Sequence, residues 1–249
     1  MSPGYQMAST KTLPITAPPA REIGRLRSRH RGLLLTGAGL ILMLMVRGFL
    51  VQSFYIPSGS MEPTLQPGDR ILVSKVALTS MLQRGDLVVF DGSRTFAPRV
   101  AGGSDPSSAV GKALGAMATM LSIQVNQSDY VKRVVGLPGD HVVCCDADGL
   151  ITVNHVAVNE SYLYPGDKPS DLTFDVTVPP ERVWLMGDHR SDSSDSRAHL
   201  GDPGGGMVRL DDVIGRAALV YWPPNRVGLL RAPTSLDGIP ANVTEESHK

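Results

Sequence analysis

The run Phe54-Tyr55-Ile56-Pro57-Ser58-Gly59-Ser60-Met61-Glu62-Pro63-Thr64-Leu65 joins two unlike parts of the chain, an apolar segment before it and a β-rich region after it. Pro57, Gly59 and Pro63 punctuate it and argue against a regular helix. Ser58 and Ser60 flank a glycine, and such a loop can present one hydroxyl while its backbone N–H groups turn toward the same point. A serine nucleophile needs an exposed Oγ, donors for a developing oxyanion, and a nearby base. Taken alone, the run also reads as an ordinary turn leading into a strand. The choice depends on whether the rest of the chain supplies a base.

Upstream, residues 1–31 are rich in Pro, Ser, Thr and Arg, have no sustained apolar period, and read as a tail. They carry six basic side chains against Glu22, a net of +5. Residues 32–46 are uncharged, and after Arg47 the apolar character resumes through Val51. A membrane-spanning helix needs about 20 predominantly apolar residues, so residues 32–52 are predicted to form a transmembrane signal anchor, with Arg47 snorkelling to a headgroup. The basic tail predicts a cytoplasmic N-terminus and an extracytoplasmic body. A cleaved signal peptide is the alternative, but the run is long and no small-residue cleavage site closes it.

Downstream, short runs rich in β-branched residues alternate with turn signals. Strands are predicted over 70–75, 86–90, 130–135, 141–145, 150–153, 156–159, 182–186 and 214–222, with Asp148-Gly149 as a hairpin turn. This pattern predicts a mostly β fold, with antiparallel sheets in a barrel-like or sandwich body over residues 53–231. Residues 92–129 interrupt it as an insertion, where Val110, Leu114, Met117 and Leu121 recur at helical spacing. Residues 232–249 are polar, with scattered Pro and Gly, and read as a C-terminal tail.

Several function classes recede on composition. From residue 48 onward there are 17 basic and 23 acidic residues, the wrong balance for a nucleic-acid binder. The only cysteines, Cys144 and Cys145, are adjacent, so neither a disulfide framework nor a spaced zinc motif exists. Successive strand side chains point to opposite faces, which predicts two reduced thiols. No metal motif or phosphate loop appears, and no cofactor is expected.

Two residues could serve Ser60 as base. His189, in Gly187-Asp188-His189-Arg190, is the one histidine in a motif-like setting and leaves a Ser–His–Asp triad conceivable. Lys132 is flanked by Val131, Val134 and Val135 in what should be a central strand. Lysines are rarely fully buried, and desolvation favours the neutral amine that a general base must be.

Four blocks in order after a single anchor resemble bacterial signal peptidase I, the membrane-bound Ser/Lys endopeptidase family that cleaves signal peptides from exported proteins. They span residues 57–65, 84–90, 130–140 and 187–197, and the resemblance covers residues 33 to 222 in outline. Carried over position by position, it implies Ser60 as nucleophile and Lys132 as general base. Ser58 would lend its hydroxyl to the oxyanion hole, and Ser193 would hydrogen-bond the lysine amine. Asp188, Arg133, Asp195 and Arg197 would be structural supports. Ile56, Met61, Leu65 and Tyr130 would line the pocket for the residue before the cut, and Phe54, Ile56 and Val131 the pocket two positions upstream. Shallow apolar pockets admit small side chains, which fits small-x-small cleavage sites. The chain departs from the family pattern at His189, Ser191 and Asp192. The implied partners are signal peptides of exported preproteins and membrane lipid. The reading from another class is a catalytically silent, membrane-tethered β-domain that binds exported chains.

Overall fold

The structure is a computed structural model and describes residues 35–40, 51–75, 82–96 and 128–241. The basic tail, most of the apolar segment and the helical stripe of Val110, Leu114, Met117 and Leu121 lie outside the described residues. Residues 35–40 are helical, and among the described residues no helix is long and apolar enough to cross a membrane. The chain divides between residues 45 and 46 into two units, the second of which carries all the described strands.

That second unit is built of antiparallel sheets. Strand β1 (Val51–Tyr55) pairs along its whole length with β2 (Arg70–Ser74), from Val51 opposite Ser74 to Tyr55 opposite Arg70. The connection between them, residues 56–69, holds Ser58 and Ser60. Hydrogen bonds from Ile56 N to Asp69 O and from Gly68 N to Ile56 O, each 2.9 Å, close its base. Buried Asp69 accepts from Gln66 N at 2.9 Å and from the Arg226 guanidinium at 2.9 Å.

Strands β3 (Leu87–Asp91) and β4 (Asp129–Gly136) place Val88 opposite Lys132. Their side chains, largely Val, Leu, Phe and Tyr, suit a pleated surface buried on both faces. The small sheet comprises β5 (His141–Cys144), β6 (Ile151–Val153), β7 (Val156–Ala157) and β8 (Phe174–Thr177), in the order β7-β6-β5-β8. The large sheet is completed by β9 (Arg182–Met186), β10 (Val208–Arg209), β11 (Val213–Trp222) and β12 (Gly228–Leu229). Its order is β1-β2-β11-β3-β4-β9-β10, with β12 on β11. Val135, Trp184 and Met186 of the large sheet share one core with Val142, Ile151, Val153 and Phe174 of the small one.

The structure corrects the sequence reading in three places. Val51 and Gln52, assigned to the anchor, belong to β1. Cys144 and Cys145 are joined in a vicinal disulfide, and no free cysteine exists. The alternation argument fails there because β5 ends at Cys144, leaving Cys145 outside the strand. The segment read as a tail from residue 232 is packed chain as far as Ile239, since Leu236 and Ile239 are buried in the shared core. Arg84 Nη1 donates to Ile239 O at 2.7 Å and Asn154 Nδ2 to Pro240 O at 2.8 Å. Both donors are braced by Asp140, which pairs bidentately with Arg84 at 2.6 Å.

Candidate active site

The loop between β1 and β2 turns tightly around its serines. Glu62 N donates to Gly59 O and Leu65 N to Met61 O, each at 2.9 Å. Met61 and Leu65 anchor the loop in a core with Phe54, Ile56, Ile71 and Val73, which leaves Ser60 half-buried and Ser58 exposed. From β4, the Lys132 side chain reaches across, and its Nζ stands 2.7 Å from Ser60 Oγ. Lys132 is 2% exposed.

Burial pushes the Lys132 amine down to about 8, with the Asp195 and Asp188 charges pulling the other way and Arg197 adding to the depression. Desolvation outweighs the two carboxylates because each already has a guanidinium partner. Asp188 accepts from Arg133 Nε at 2.7 Å and from Arg133 Nη2 at 2.5 Å. Asp195 accepts from Arg197 Nε at 2.9 Å and from Arg197 Nη2 at 2.8 Å. Burial alone would raise the Asp195 carboxyl; the bonds and charge of Arg197 and the Gly187 N–H overcome it and hold the carboxyl below its usual value. The lysine thus sits among neutralised charges, in a site where its own charge is disfavoured. A hydroxyl at 2.7 Å from such an amine can lose its proton to it.

The other possible base is placed elsewhere. His189 Nδ1 donates to the carbonyl of Gly59 at 3.3 Å, and the Asp188 carboxylate is taken by Arg133 and by Thr64 Oγ1 at 2.5 Å. Neither group serves the Ser60 hydroxyl, so no Ser–His–Asp triad forms at this serine.

The model of the family described as signal peptidase, peptidase S26, matches residues 30–222. The chain belongs to the signal peptidase family. Signal peptidase I of Mycobacterium tuberculosis is 36% identical over 219 residues, covering 80% of this chain and 74% of that one. Signal peptidase I P of Bacillus subtilis subsp. natto is 32% identical, covering 76% and 86%. Signal peptidase I of Leptolyngbya laminosa is 31% identical, covering 82% and 85%. The chain is accordingly a serine endopeptidase of the signal-peptide-processing kind.

Within this signal peptidase the residues singled out from sequence fall into distinct groups. Arg133 pairs with Asp188 and Arg197 with Asp195. Ser193 departs from the expected contact with the lysine amine: its Oγ is buried, helps hold the Asp195 carboxyl low, and makes no hydrogen bond of normal geometry. Phe54, Ile56, Met61 and Leu65 share one core with Val131 packed against it, and Met61 and Leu65 are 1% and 0% exposed. Together they form an apolar floor beneath the site. Tyr130, on the opposite face of β4 from Val131, stacks on Phe90 at 5.8 Å and meets Phe96 edge-on.

Sequence reasoning assigned no role to Gly187 or Glu160. Arg190 Nε donates to Gly187 O at 2.8 Å, and its guanidinium pairs with buried Glu160, which also accepts from Tyr162 Oη at 2.6 Å. Nothing in hydropathy marks Glu160, whose partner lies 30 residues away. Gly187, just beyond β9, lets the last block close on the serine loop. A Cβ there would fall 2.2 Å from Ser193 Oγ and 2.6 Å from the carbonyl oxygen of Ser60. Rotation could move the Ser193 hydroxyl but not its Cβ, 2.5 Å from the added carbon, and the Ser60 carbonyl is backbone, so the chain must shift. Gly187→Ala should therefore lower cleavage on the order of 10²-fold by displacing the nucleophile, with the far-UV circular dichroism kept. Full activity in that variant would show that the contact is not tight in solution.

Proposed function

We propose that Ser60 is the nucleophile and Lys132 the general base of a membrane-tethered endopeptidase that removes signal peptides after small-x-small sites. The observation carrying this reading is the 2.7 Å contact between a serine hydroxyl and a buried lysine amine held near pH 8. In the acylation step the neutral amine accepts the Ser60 hydroxyl proton as Oγ attacks the scissile carbonyl. The backbone N–H of Ser60 and the hydroxyl of Ser58 receive the oxyanion. The lysine ammonium then gives its proton to the departing amine, leaving an acyl-enzyme on Ser60. Water, deprotonated by the same amine, releases the mature chain's former signal peptide and restores the serine.

The apolar floor of Phe54, Ile56, Met61 and Leu65 supports the specificity reading, since it leaves little depth for a side chain beside the serine. Ile56, Val131 and Tyr130 would meet the residues before the cut. Tethering by residues 32–50 rests on the uncharged run through Val46 and the +5 segment before it. An anchor in that place would keep the body at the extracytoplasmic surface, where signal peptides emerge. No cofactor enters any step. The catalytically silent alternative does not account for a lysine buried against a serine hydroxyl, an arrangement that costs stability and that catalysis would explain.

The test is cleavage of an Ala-x-Ala precursor by the full chain in detergent or lipid. Wild type should release the mature protein and Ser60→Ala should not. Equal cleavage by both proteins would remove Ser60 from the mechanism.

A further inference from the structure

His189 is bound to the nucleophile's own backbone on two sides. Its N–H donates to the carbonyl of Ser60 at 3.2 Å, and its ring Nδ1 donates to the carbonyl of Gly59 at 3.3 Å. The ring cannot swing freely, because Tyr164 stacks on it with centroids 3.9 Å apart and planes 12° from parallel. Tyr164 is in turn fixed: its N–H donates to Asp188 O at 3.1 Å, and its carbonyl accepts from Asp167 N at 3.0 Å. Asp167 closes the circuit by accepting from Ser191 N and from Ser191 Oγ, the latter at 2.8 Å.

The Ser60 backbone is therefore held by a side chain and a peptide N–H from outside its own loop. Glycine precedes Ser60, so the loop backbone has unusual freedom at that bond. A ring N–H held by an aromatic stack removes part of that freedom. We infer that His189, backed by Tyr164, is a positioning residue that sets the Gly59–Ser60 peptide so that Oγ faces the Lys132 amine. It touches neither substrate nor reacting atoms; it acts through the backbone. The inference rests on the Ser60–Lys132 reading above and deepens it.

Two substitutions separate a donor from a space-filler. His189→Asn keeps an amide N–H that can reach the Gly59 carbonyl, whereas His189→Leu keeps bulk and loses the donor. Backbone displacement of a nucleophile acts on the chemical step, where about 1 Å can cost on the order of 10²-fold. With an Ala-x-Ala precursor and variants shown by thermal melting to be folded, His189→Leu should lose about 10–100-fold in kcat with KM within about twofold. His189→Asn should recover most of the loss. Tyr164→Ala, at an exposed site, should lower kcat in the same direction by freeing the ring. The pH at which kcat/KM rises should not move in any of the three, because the base is untouched. Unchanged kcat in His189→Leu, or an equal loss in His189→Leu and His189→Asn, would overturn the inference. Ser60→Ala assayed alongside keeps the two readings apart. A dead Ser60→Ala beside a fully active His189→Leu overturns the positioning role alone, whereas an active Ser60→Ala removes the nucleophile and this inference with it.

Discussion

In folded Lys132→Met protein, cleavage of an Ala-x-Ala precursor should fall on the order of 10⁴-fold, the upper range for loss of a positioned base. Methionine keeps the length and most of the volume of the lysine stem and removes the amine. Lys132→Arg should be equally inactive wherever it folds, since guanidinium stays protonated at any working pH. The wild-type pH profile follows from the same residue. A lysine at its reference value near 10.4 is almost entirely protonated at neutral pH, whereas one held to about 8 is neutral in roughly a tenth of molecules at pH 7. At about 1.36 kcal/mol per pH unit, that displacement is roughly 3 kcal/mol of disfavour to the buried ammonium. The protonated amine is the inactive form, so kcat/KM should rise with pH through a limb near 8 and level off above it. Activity surviving in Lys132→Met but lost in folded His189→Asn would transfer the base role to the histidine.

Asp188→Ala should be the most destabilising single substitution near the site. Arg133 and Asp188 are 3% and 0% exposed and joined by two hydrogen bonds. Removing one member of such a pair leaves an uncompensated buried charge, at about 3–5 kcal/mol. Arg133 would keep its bond to Gly85 O at 2.7 Å and its place over the Tyr162 ring, 4.2 Å from the centroid. Neither neutralises it. Thr64 would also lose its carboxylate acceptor, which couples the damage to the serine loop. Urea unfolding measures the loss, and a midpoint change equivalent to less than about 1 kcal/mol would show that water reaches the arginine. A milder Asp188→Asn variant tests the electrostatics. The Asp188 charge favours the Lys132 ammonium, so removing it lowers the amine further and should move the activity limb to lower pH.

The chain's order of elements was legible in local composition because a strand with one partner type declares itself by β-branched residues between turn signals. Arg182–Met186 has the bounds read from sequence, and the Asp148-Gly149 turn lies between β5 and β6 with Gly149 at φ +79°. Strand β1 escaped notice because an apolar run reads alike as the end of a buried helix or as a strand; its pairing with β2 makes the distinction. The two short edge strands β10 and β12, two residues each, have no periodicity to detect.

Lys132 and Ser60 are 72 residues apart, and the sequence named both through their chemistry: a lysine in a run of valines, and a serine after a glycine in a proline-punctuated loop. Local pattern could say that each residue was unusual, but not that one faced the other. Tertiary structure decided that contact, the capture of His189 by the serine backbone, the Glu160–Arg190 pair, the vicinal disulfide and the burial of Leu236 and Ile239. The physical reason is common to the first three, which join residues far apart in the chain. Composition and periodicity report the face a residue prefers, whereas hydrogen bonds, ion pairs and cross-links depend on which atoms the strand register brings within about 3 Å, and that is a property of the folded sheets.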